Sequence, residues 1–299
     1  MFSMLNGPWL TGLHVSYYRY LCGNLSMRTN TDICLHCRIN PATKTNSHIL
    51  PRFISTNFLG PKGMPRRGYD LNSEDYEAKR TKIIQDSPKE NYILCEECEQ
   101  YFSVLEGLSA DVFKNWQSKV DAGEFAERKI EEYLSIVECT TANPRILRLL
   151  VYSMFWRASI SSHHLFENYK LSSPLEESLR ESLLLMKSLT PAQLEERLKN
   201  LTFSFHPYSC ITARSFEDES ANVLAAINPG NPASLHVDRY GFLLFERKED
   251  VKDPVFSRFG NNNENDLRIL ILAEQLWHEL MVERPIKMVV EEVIAKRKA

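Results

Sequence analysis

The sequence lacks the long apolar run that a membrane-spanning helix needs, since no stretch of about 18 consecutive apolar residues occurs in it. Residues 1–26 also lack the basic segment followed by an apolar segment that marks a secretory signal peptide. The seven cysteines are an odd number, and four of them stand at C-x-x-C spacing, which argues against a disulfide framework. We therefore predict a protein of the reducing cytoplasm without a membrane span.

Neither sign of charge dominates, with 36 basic and 39 acidic residues and a formal net charge of −3. The distribution is uneven, because residues 38–91 carry ten basic and six acidic side chains, a net +4, and the rest of the chain carries −7. A basic segment in an acidic chain suits a site that binds phosphate, although an ordinary solvated surface gives similar counts.

Four cysteines form two pairs at metal-binding spacing. One pair is Cys34 and Cys37, and the other is Cys95 and Cys98. A C-x-x-C hairpin points two thiolates at one metal ion, so two such hairpins complete a closed, tetrahedral zinc site. We therefore predict a structural Zn²⁺ ion, and the alternative is four reduced core cysteines with accidental spacing.

The residues that flank these pairs form a second pattern. Residues 47–51 read Ser-His-Ile-Leu-Pro after the first pair, Asn91 precedes the second pair, and Glu99 directly follows it. This order resembles the zinc-stapled type of the HNH, or ββα-metal, endonuclease family, over about a quarter of the chain. With a later Trp156-Arg157, the sequence is also similar to an HNH-like bacterial group that has Ser-His-Ile-x-Pro and Cys-x-x-Cys-Glu.

The resemblance implies a role for each of these residues. His48 would be the general base that activates water, and its near-neutral pKa suits that task. Asn91 would orient this imidazole or brace the intervening loop, and Glu99 would bind a catalytic Mg²⁺ or Mn²⁺. Ser47 stands where the family usually has a metal-binding Asp, so Asp86 is the nearest acidic candidate for the missing ligand.

Basic side chains near these residues are candidates to bind phosphate. Arg52 follows the His48 segment, and a loop rich in Gly, Pro and positive charge carries Lys62, Arg66 and Arg67. Arg and Lys bind the nucleic-acid backbone rather than read its sequence. The alternative for this loop is a flexible insertion.

We predict an α+β protein with four consecutive parts. Residues 1–26 are interpreted as an extension ahead of a natural start at Met27. Residues 27–108 would form the small zinc-knuckle, ββα-metal module, residues 109–200 a helical region, and residues 201–299 a mixed α+β region.

Apolar periodicity and capping residues predict individual elements. The predicted helices cover 73–82, 96–108, 112–116, 125–137, 266–279 and 288–298, and three more begin at Asn143, Ser173 and Thr190, each followed by proline. The predicted strands are 48–50, 203–205, 209–213, 223–227 and 240–245.

Two functions follow from the sequence. The first is a metal-dependent HNH-like endonuclease that hydrolyses phosphodiester bonds in DNA or RNA, as an effector in bacterial defence against phage. The alternative is a catalytically silent zinc module that binds nucleic acid or a partner protein. The C-terminal region carries no catalytic motif, and we predict partner binding or self-association there. A second metal beside His48 and Glu99 would distinguish the two functions.

Overall fold

A computed structural model describes residues 28–55, 68–70, 82–84, 87–166, 169–216, 224–227, 231–283 and 287. These residues form a mixed α+β fold, as predicted. The strands are β1 (Ser47–His48), β2 (Gly68–Asp70), β3 (Lys82–Ile84), β4 (Lys89–Glu90), β5 (Ala126–Glu131), β6 (Leu134–Glu138), β7 (Tyr208–Ala213), β8 (Leu224–Ile227), β9 (Ala233–Val237), β10 (Tyr240–Leu244) and β11 (Arg268–Leu272). The helices are α1 (Arg52–Ser55), α2 (Glu96–Asp121), α3 (Pro144–Ile160), α4 (Ser173–Leu185), α5 (Pro191–Asn200), α6 (Pro254–Phe259) and α7 (Glu274–His278), with a 3₁₀ turn at Lys248–Asp250 and a π turn at Glu279–Glu283.

Several predicted features lie outside the described residues. They are the extension before Met27, the loop with Lys62, Arg66 and Arg67, the helix at 73–81, Asp86, and the tail helix at 288–298. Lys82, the last residue of that short predicted helix, instead begins β3, which pairs with β2. Over the described ranges, no helix is both long enough and apolar enough to cross a membrane.

A short two-stranded sheet carries His48, and the long helix α2 carries the second cysteine pair. β1 and β4 pair antiparallel, with His48 opposite Lys89. α2 begins directly after Cys95, and its first turn holds three glutamates, which the positive end of the helix dipole favours. The predicted helices at 96–108 and 112–116 are one continuous helix. Its buried residues recur at helical spacing: Cys98, Tyr101, Phe102, Leu105, Ser109, Val112, Phe113 and Trp116.

Side-chain caps begin the next three helices. Asn143 caps α3, since its Oδ1 accepts the backbone N–H of Arg145 at 3.0 Å, and Thr190 caps α5, both as predicted. The cap of α4 is Ser172 rather than the predicted Ser173, which is the first helical residue. Pro174 follows within the first turn, where a backbone N–H has no helical partner to lose.

The predicted helix at 125–137 is wrong, because these residues form the hairpin of β5 and β6. β6 lies between β5 and β11, and both of its faces are buried. Leu134 and Ile136 pack on one side of the sheet and Val137 on the other. In a strand buried on both faces, apolar residues fall at helical as well as alternate positions, so periodicity does not separate strand from helix.

The predicted helix at 266–279 is wrong for the same reason. Its apolar residues are split between β11, buried on both faces, and the short α7. The predicted strand at 203–205 is also wrong: it is a loop in which the carbonyl of Ser204 accepts the Tyr152 hydroxyl at 3.1 Å. The strands predicted at 209–213, 223–227 and 240–245 are present as β7, β8 and β10.

A seven-stranded sheet in the order β5-β6-β11-β7-β10-β9-β8 forms the centre of the C-terminal half. β11 and β7 are parallel, and the other neighbouring strands are antiparallel. One face shares a core with α2, α3, α4, α5 and all four paired cysteines. Residues of α6 and α7 pack on the other face. The β5–β6 hairpin, from the region predicted to be helical, thus belongs to the same sheet as the later strands.

Candidate metal centre and the surroundings of His48

The four predicted zinc ligands come together. The sulfur atoms of Cys34, Cys37, Cys95 and Cys98 all lie within 4.8 Å of one another, and those of Cys37 and Cys95 are 3.8 Å apart. A tetrahedral ion with Zn–S bonds of about 2.3 Å needs sulfur atoms about 3.8 Å apart. Four buried sulfur donors also suit zinc better than a hard cation such as Mg²⁺. The cluster therefore fits a closed, structural zinc site.

Local backbone geometry brings the two cysteine loops together. Arg38 takes a φ of 55°, which turns the chain back after the first pair. The N–H of Leu35 donates to the carbonyl of Ile93 at 3.0 Å, so the first loop is hydrogen-bonded to the segment ahead of the second pair. Cys95 is the N-cap residue of α2, which places Cys98 in the first turn of that helix.

Hydrogen bonding within the cluster favours the thiolate of Cys34. The Cys98 thiol lowers the pKa of Cys34 to about 5, and backbone N–H groups add to this effect against burial. The same hydrogen bond and burial raise the pKa of Cys98. Because zinc binds thiolates, zinc binding is expected to release the proton that Cys98 retains.

His36, between the first two cysteines, is a supporting residue that the sequence analysis did not single out. Its side chain is fully buried, and its Nδ1 lies 3.2 Å from the Cys98 sulfur. Burial lowers the pKa of His36 to about 3, so the ring is neutral and can donate one N–H to that sulfur. Donors of this kind orient metal ligands. A histidine inside a C-x-x-C was the only sequence signal for this role.

Charged groups on α4 support the loop that carries His36. Arg180 donates from Nη1 to the carbonyl oxygen of His36 at 2.9 Å. Glu177 accepts Arg180 at 2.6 Å and Arg38 at 2.7 Å. Its hydrogen bond with Arg180, aided by Arg38, lowers the pKa of Glu177 to about 2. α4 is thereby tied to the zinc loop on both sides of Cys37.

Glu177→Gln is expected to reduce the free energy of unfolding at neutral pH and to reduce it less as the pH falls. A lowered pKa contributes stability that is fully present above the unfolded value of about 4.3. That contribution is lost as the pH falls toward about 2. Urea denaturation between pH 6 and pH 3 measures the free energy of unfolding of the parent protein and of Glu177→Gln. Effects common to both proteins, such as protonation of the cysteines, cancel in the difference.

The exposed Glu195 on α5 provides the matched control. Glu195→Gln is expected to change the free energy of unfolding at neutral pH much less than Glu177→Gln does. A Glu177→Gln difference that stays constant with pH would contradict the role assigned to Glu177.

The ring and the backbone of His48 are both held in place. Its Nδ1 lies 2.8 Å from Ser87 Oγ, and its carbonyl oxygen accepts an N–H of Arg157 at 2.8 Å. When Nδ1 donates to the Ser87 hydroxyl, Nε2 is the basic nitrogen. A half-buried imidazole that is held in place by a hydrogen bond meets the structural needs of a general base.

The donor to His48 is a buried arginine on α3. Arg157 is 1% exposed, and its Nη2 binds Oε1 of Glu106 on α2 at 2.9 Å. Its guanidinium also lies 5.1 Å from the centre of the Phe102 ring. Burial raises the pKa of Glu106, and Arg157 opposes that rise. One guanidinium therefore joins α2, α3 and the His48 strand.

Glu99 has a carboxylate oxygen suited to a cation. Its Oε2 is buried and accepts no hydrogen bond within the described part of the chain. The charge of Glu99 also raises the pKa of Glu106. A buried acceptor without a donor is costly unless something else satisfies it, and a hard cation would do so. Over the described ranges, however, the four cysteines are the only group of three or more metal-binding side chains close enough to share an ion.

The remaining predicted site residues have varied surroundings. Asn91 Oδ1 accepts the backbone N–H of Asn46 at 2.8 Å, so Asn91 braces the turn that precedes β1. Arg52 is exposed at the start of α1. Ser47 is fully buried, and its Oγ has no hydrogen-bond partner among the described residues.

Comparisons of the chain with known protein families, with curated proteins and with solved structures found no match.

Proposed function

We propose that the protein is a metal-dependent endonuclease of the HNH-like type that hydrolyses phosphodiester bonds in DNA or RNA. His48 would take a proton from the attacking water, and Asn91 would hold the turn that positions it. Arg52 would bind the phosphate backbone, together with the basic residues of the 60–67 segment.

The arrangement of His48 carries this proposal. His48 lies on a two-stranded antiparallel sheet, β1 with β4, and the helix that follows β4 bears Glu99. The four-cysteine cluster joins the start of that helix to the loop ahead of His48. Two separate contacts, from Ser87 and Arg157, fix the residue.

The chemistry requires an activated water and stabilisation of charge on the phosphate. With Nδ1 bound to Ser87, Nε2 of His48 would accept the proton of the water. Glu99, with its unsatisfied oxygen, and Asp86 are the oxygen ligands proposed for Mg²⁺ or Mn²⁺. Such an ion, when bound, stabilises the negative charge that develops on the scissile phosphate.

The second candidate is a catalytically silent zinc module that binds nucleic acid or a partner protein. Two observations favour it: the buried Ser47 hydroxyl replaces a carboxylate ligand, and the described residues supply one group of metal-binding side chains, the four cysteines. The function of such a module would reside in its surface.

Nicking of supercoiled plasmid by the zinc-loaded protein, titrated with Mg²⁺ and Mn²⁺, tests the nuclease. We expect cleavage that His48→Ala reduces by roughly 10²- to 10⁴-fold, the usual contribution of a general base. Labelled single-stranded DNA and RNA in the same assay establish the preferred substrate. Calorimetry should find a second cation site that Glu99→Gln weakens.

His278→Ala is the matched control, because His278 is a partly exposed histidine on α7. It should cleave like the parent protein. Zinc content and the unfolding midpoint must be unchanged in every variant. A loss of nicking activity then reflects a loss of the chemical step and not a loss of folding. If neither the parent protein nor His48→Ala nicks plasmid with either metal ion, and no second cation site is found, the results would favour the zinc module.

A further inference from the structure

A cleft lies between the zinc-bearing part of the chain and the large sheet. Phe53 of α1 and Lys114 and Trp116 of α2 line one side. Arg214, after β7, and Arg239, in the β9–β10 turn, line the other side. The cleft has a volume of about 180 Å³. Within the described part of the chain, its lining does not include His48, Asn91 or Glu99.

Three cationic side chains of this cleft lie over aromatic rings. The guanidinium of Arg214 is 6.0 Å from the ring centre of Trp116, and that of Arg239 is 5.0 Å from Phe216. The ammonium of Lys114 is 6.0 Å from the Phe53 ring. A cation within about 6 Å of a ring centre is attracted by the ring's electrostatic quadrupole. The rings hold the cations along the walls and reduce the entropy that a ligand must overcome.

Among the described residues, the lining of the cleft carries more cations than anions. The cations are Lys114, Arg214 and Arg239, and the carboxylate is that of Asp238, which is 3% exposed. Outside the lining, Glu127 pairs with Arg214 and holds its guanidinium across the Trp116 ring. A concave site with several cations favours an anion, and a buried carboxylate beside them can accept a hydrogen bond from an amino or hydroxyl group.

The walls of the cleft are fixed by buried hydrogen bonds. The Tyr240 hydroxyl donates to the carbonyl of Phe113 at 2.5 Å, which joins β10 to α2. The indole N–H of Trp277 donates to the carbonyl of Arg239 at 3.1 Å, which anchors the turn. The cleft also lies at the carboxyl end of β7. The site is therefore preformed.

We propose that this cleft binds a nucleotide, with its phosphate between the cations and its base against a guanidinium plane. Arg guanidinium groups stack on nucleobases and bind phosphate, so one wall can serve both parts of such a ligand. The volume is below the roughly 300–1,000 Å³ of sites that enclose a drug-sized molecule, so the rest of the ligand extends into solvent. The ligand is either a free nucleotide or one unit of a strand, and the site does not depend on catalysis by His48.

Calorimetric titration of the zinc-loaded full-length chain tests the proposal with four probes: AMP, CMP, inorganic phosphate and a ten-nucleotide single strand. We expect a mononucleotide or the strand to bind more tightly than inorganic phosphate. Arg239→Gln and Lys114→Gln should each weaken that binding about tenfold, the effect of one lost charge-assisted contact. Arg214 is not substituted, because its removal would leave Glu127 without its ion-pair partner.

Lys129→Gln and Arg128→Gln are the matched controls, because both residues are exposed on β5 outside the lining. They should bind like the parent protein. Mononucleotide binding that the strand does not displace would identify a free nucleotide, and binding of the strand alone would identify a strand unit. Equal affinity for inorganic phosphate, equal effects of cleft and control variants, or no binding of any probe at millimolar concentration would each overturn the proposal.

Discussion

Cys95→Ser is expected to abolish zinc binding and to destabilise the protein by more than about 5 kcal/mol. Structural zinc sites contribute roughly 10–16 kcal/mol of apparent binding free energy, whereas whole domains are stable by about 5–15 kcal/mol. The four cysteines are between 0% and 6% exposed and belong to the same core as α2 and α3. Without zinc, the two loops are held by packing, by their backbone hydrogen bonds and by side-chain contacts such as that of His36 with the Cys98 sulfur.

Zinc content by elemental analysis and unfolding monitored by circular dichroism measure this effect. Cys139→Ala is the matched control, because Cys139 is a buried thiol outside the cluster, and burial raises its pKa to about 12. It should keep one zinc per chain and lose roughly 1 kcal/mol. A Cys95→Ser protein with one zinc per chain and an unchanged unfolding midpoint would show that the cluster is not a structural zinc site.

Arg157→Met is expected to lower the free energy of unfolding at pH 7 by about 3–5 kcal/mol, since it leaves the Glu106 carboxylate, whose side chain is only 20% exposed, without its cation. Burial raises the pKa of Glu106. A raised carboxyl pKa favours the folded state below the unfolded value of about 4.3, and this advantage is lost as the pH rises through the folded pKa. The deficit of Arg157→Met should therefore shrink between pH 7 and pH 4.5, as Glu106 takes up a proton.

Urea denaturation at both pH values, with a double-mutant cycle, measures the Arg157 prediction. Glu106→Gln in the Arg157→Met background should recover part of the loss, because the unpaired charge is gone. Arg128→Met is the control: the Arg128 side chain is 61% exposed and lies 3.8 Å from Glu138, so the change should cost at most about 1 kcal/mol. A loss for Arg157→Met as small as that of Arg128→Met would contradict the role of the buried guanidinium.

Arg157→Met also bears on the proposed nuclease, because Arg157 donates to the carbonyl of His48. If His48 is the base, plasmid nicking should fall even at temperatures where the variant remains folded. Arg157→Lys keeps the positive charge but loses the guanidinium donors. Its rate of plasmid nicking should lie between those of Arg157→Met and the parent protein.

Features specified by short sequence patterns were predicted well. The cysteine cluster follows from two C-x-x-C pairs, and the start of α2 follows from the change of pattern after Cys95. Asn143 and Thr190 likewise mark helix starts through their own side chains. The residues that determine a helix start are close together in the chain, and so are the two cysteines within each C-x-x-C pair.

Features that depend on distant residues were missed. The β5–β6 hairpin and β11 looked helical because the tertiary fold buries both faces of β6 and β11. Arg157 was noticed as part of a motif, but its contacts with Glu106 and His48 join three elements that no local pattern connects. The cleft between Trp116 and Arg214 is likewise assembled by the pairing of the strands and helices around it.

The pairing of β6 with β11 sets an order of events during synthesis. Glu138 lies opposite Arg268, so the middle of the sheet is completed only after the ribosome has made most of the chain. Until then, the edge of β6 that pairs with β11 has unpaired backbone N–H and C=O groups, and such an edge favours association between nascent chains. The cysteine loops, in contrast, are complete once α2 has begun, and can close on zinc early. We expect a slow, late step in folding that depends on the residues of β11 and not on the metal.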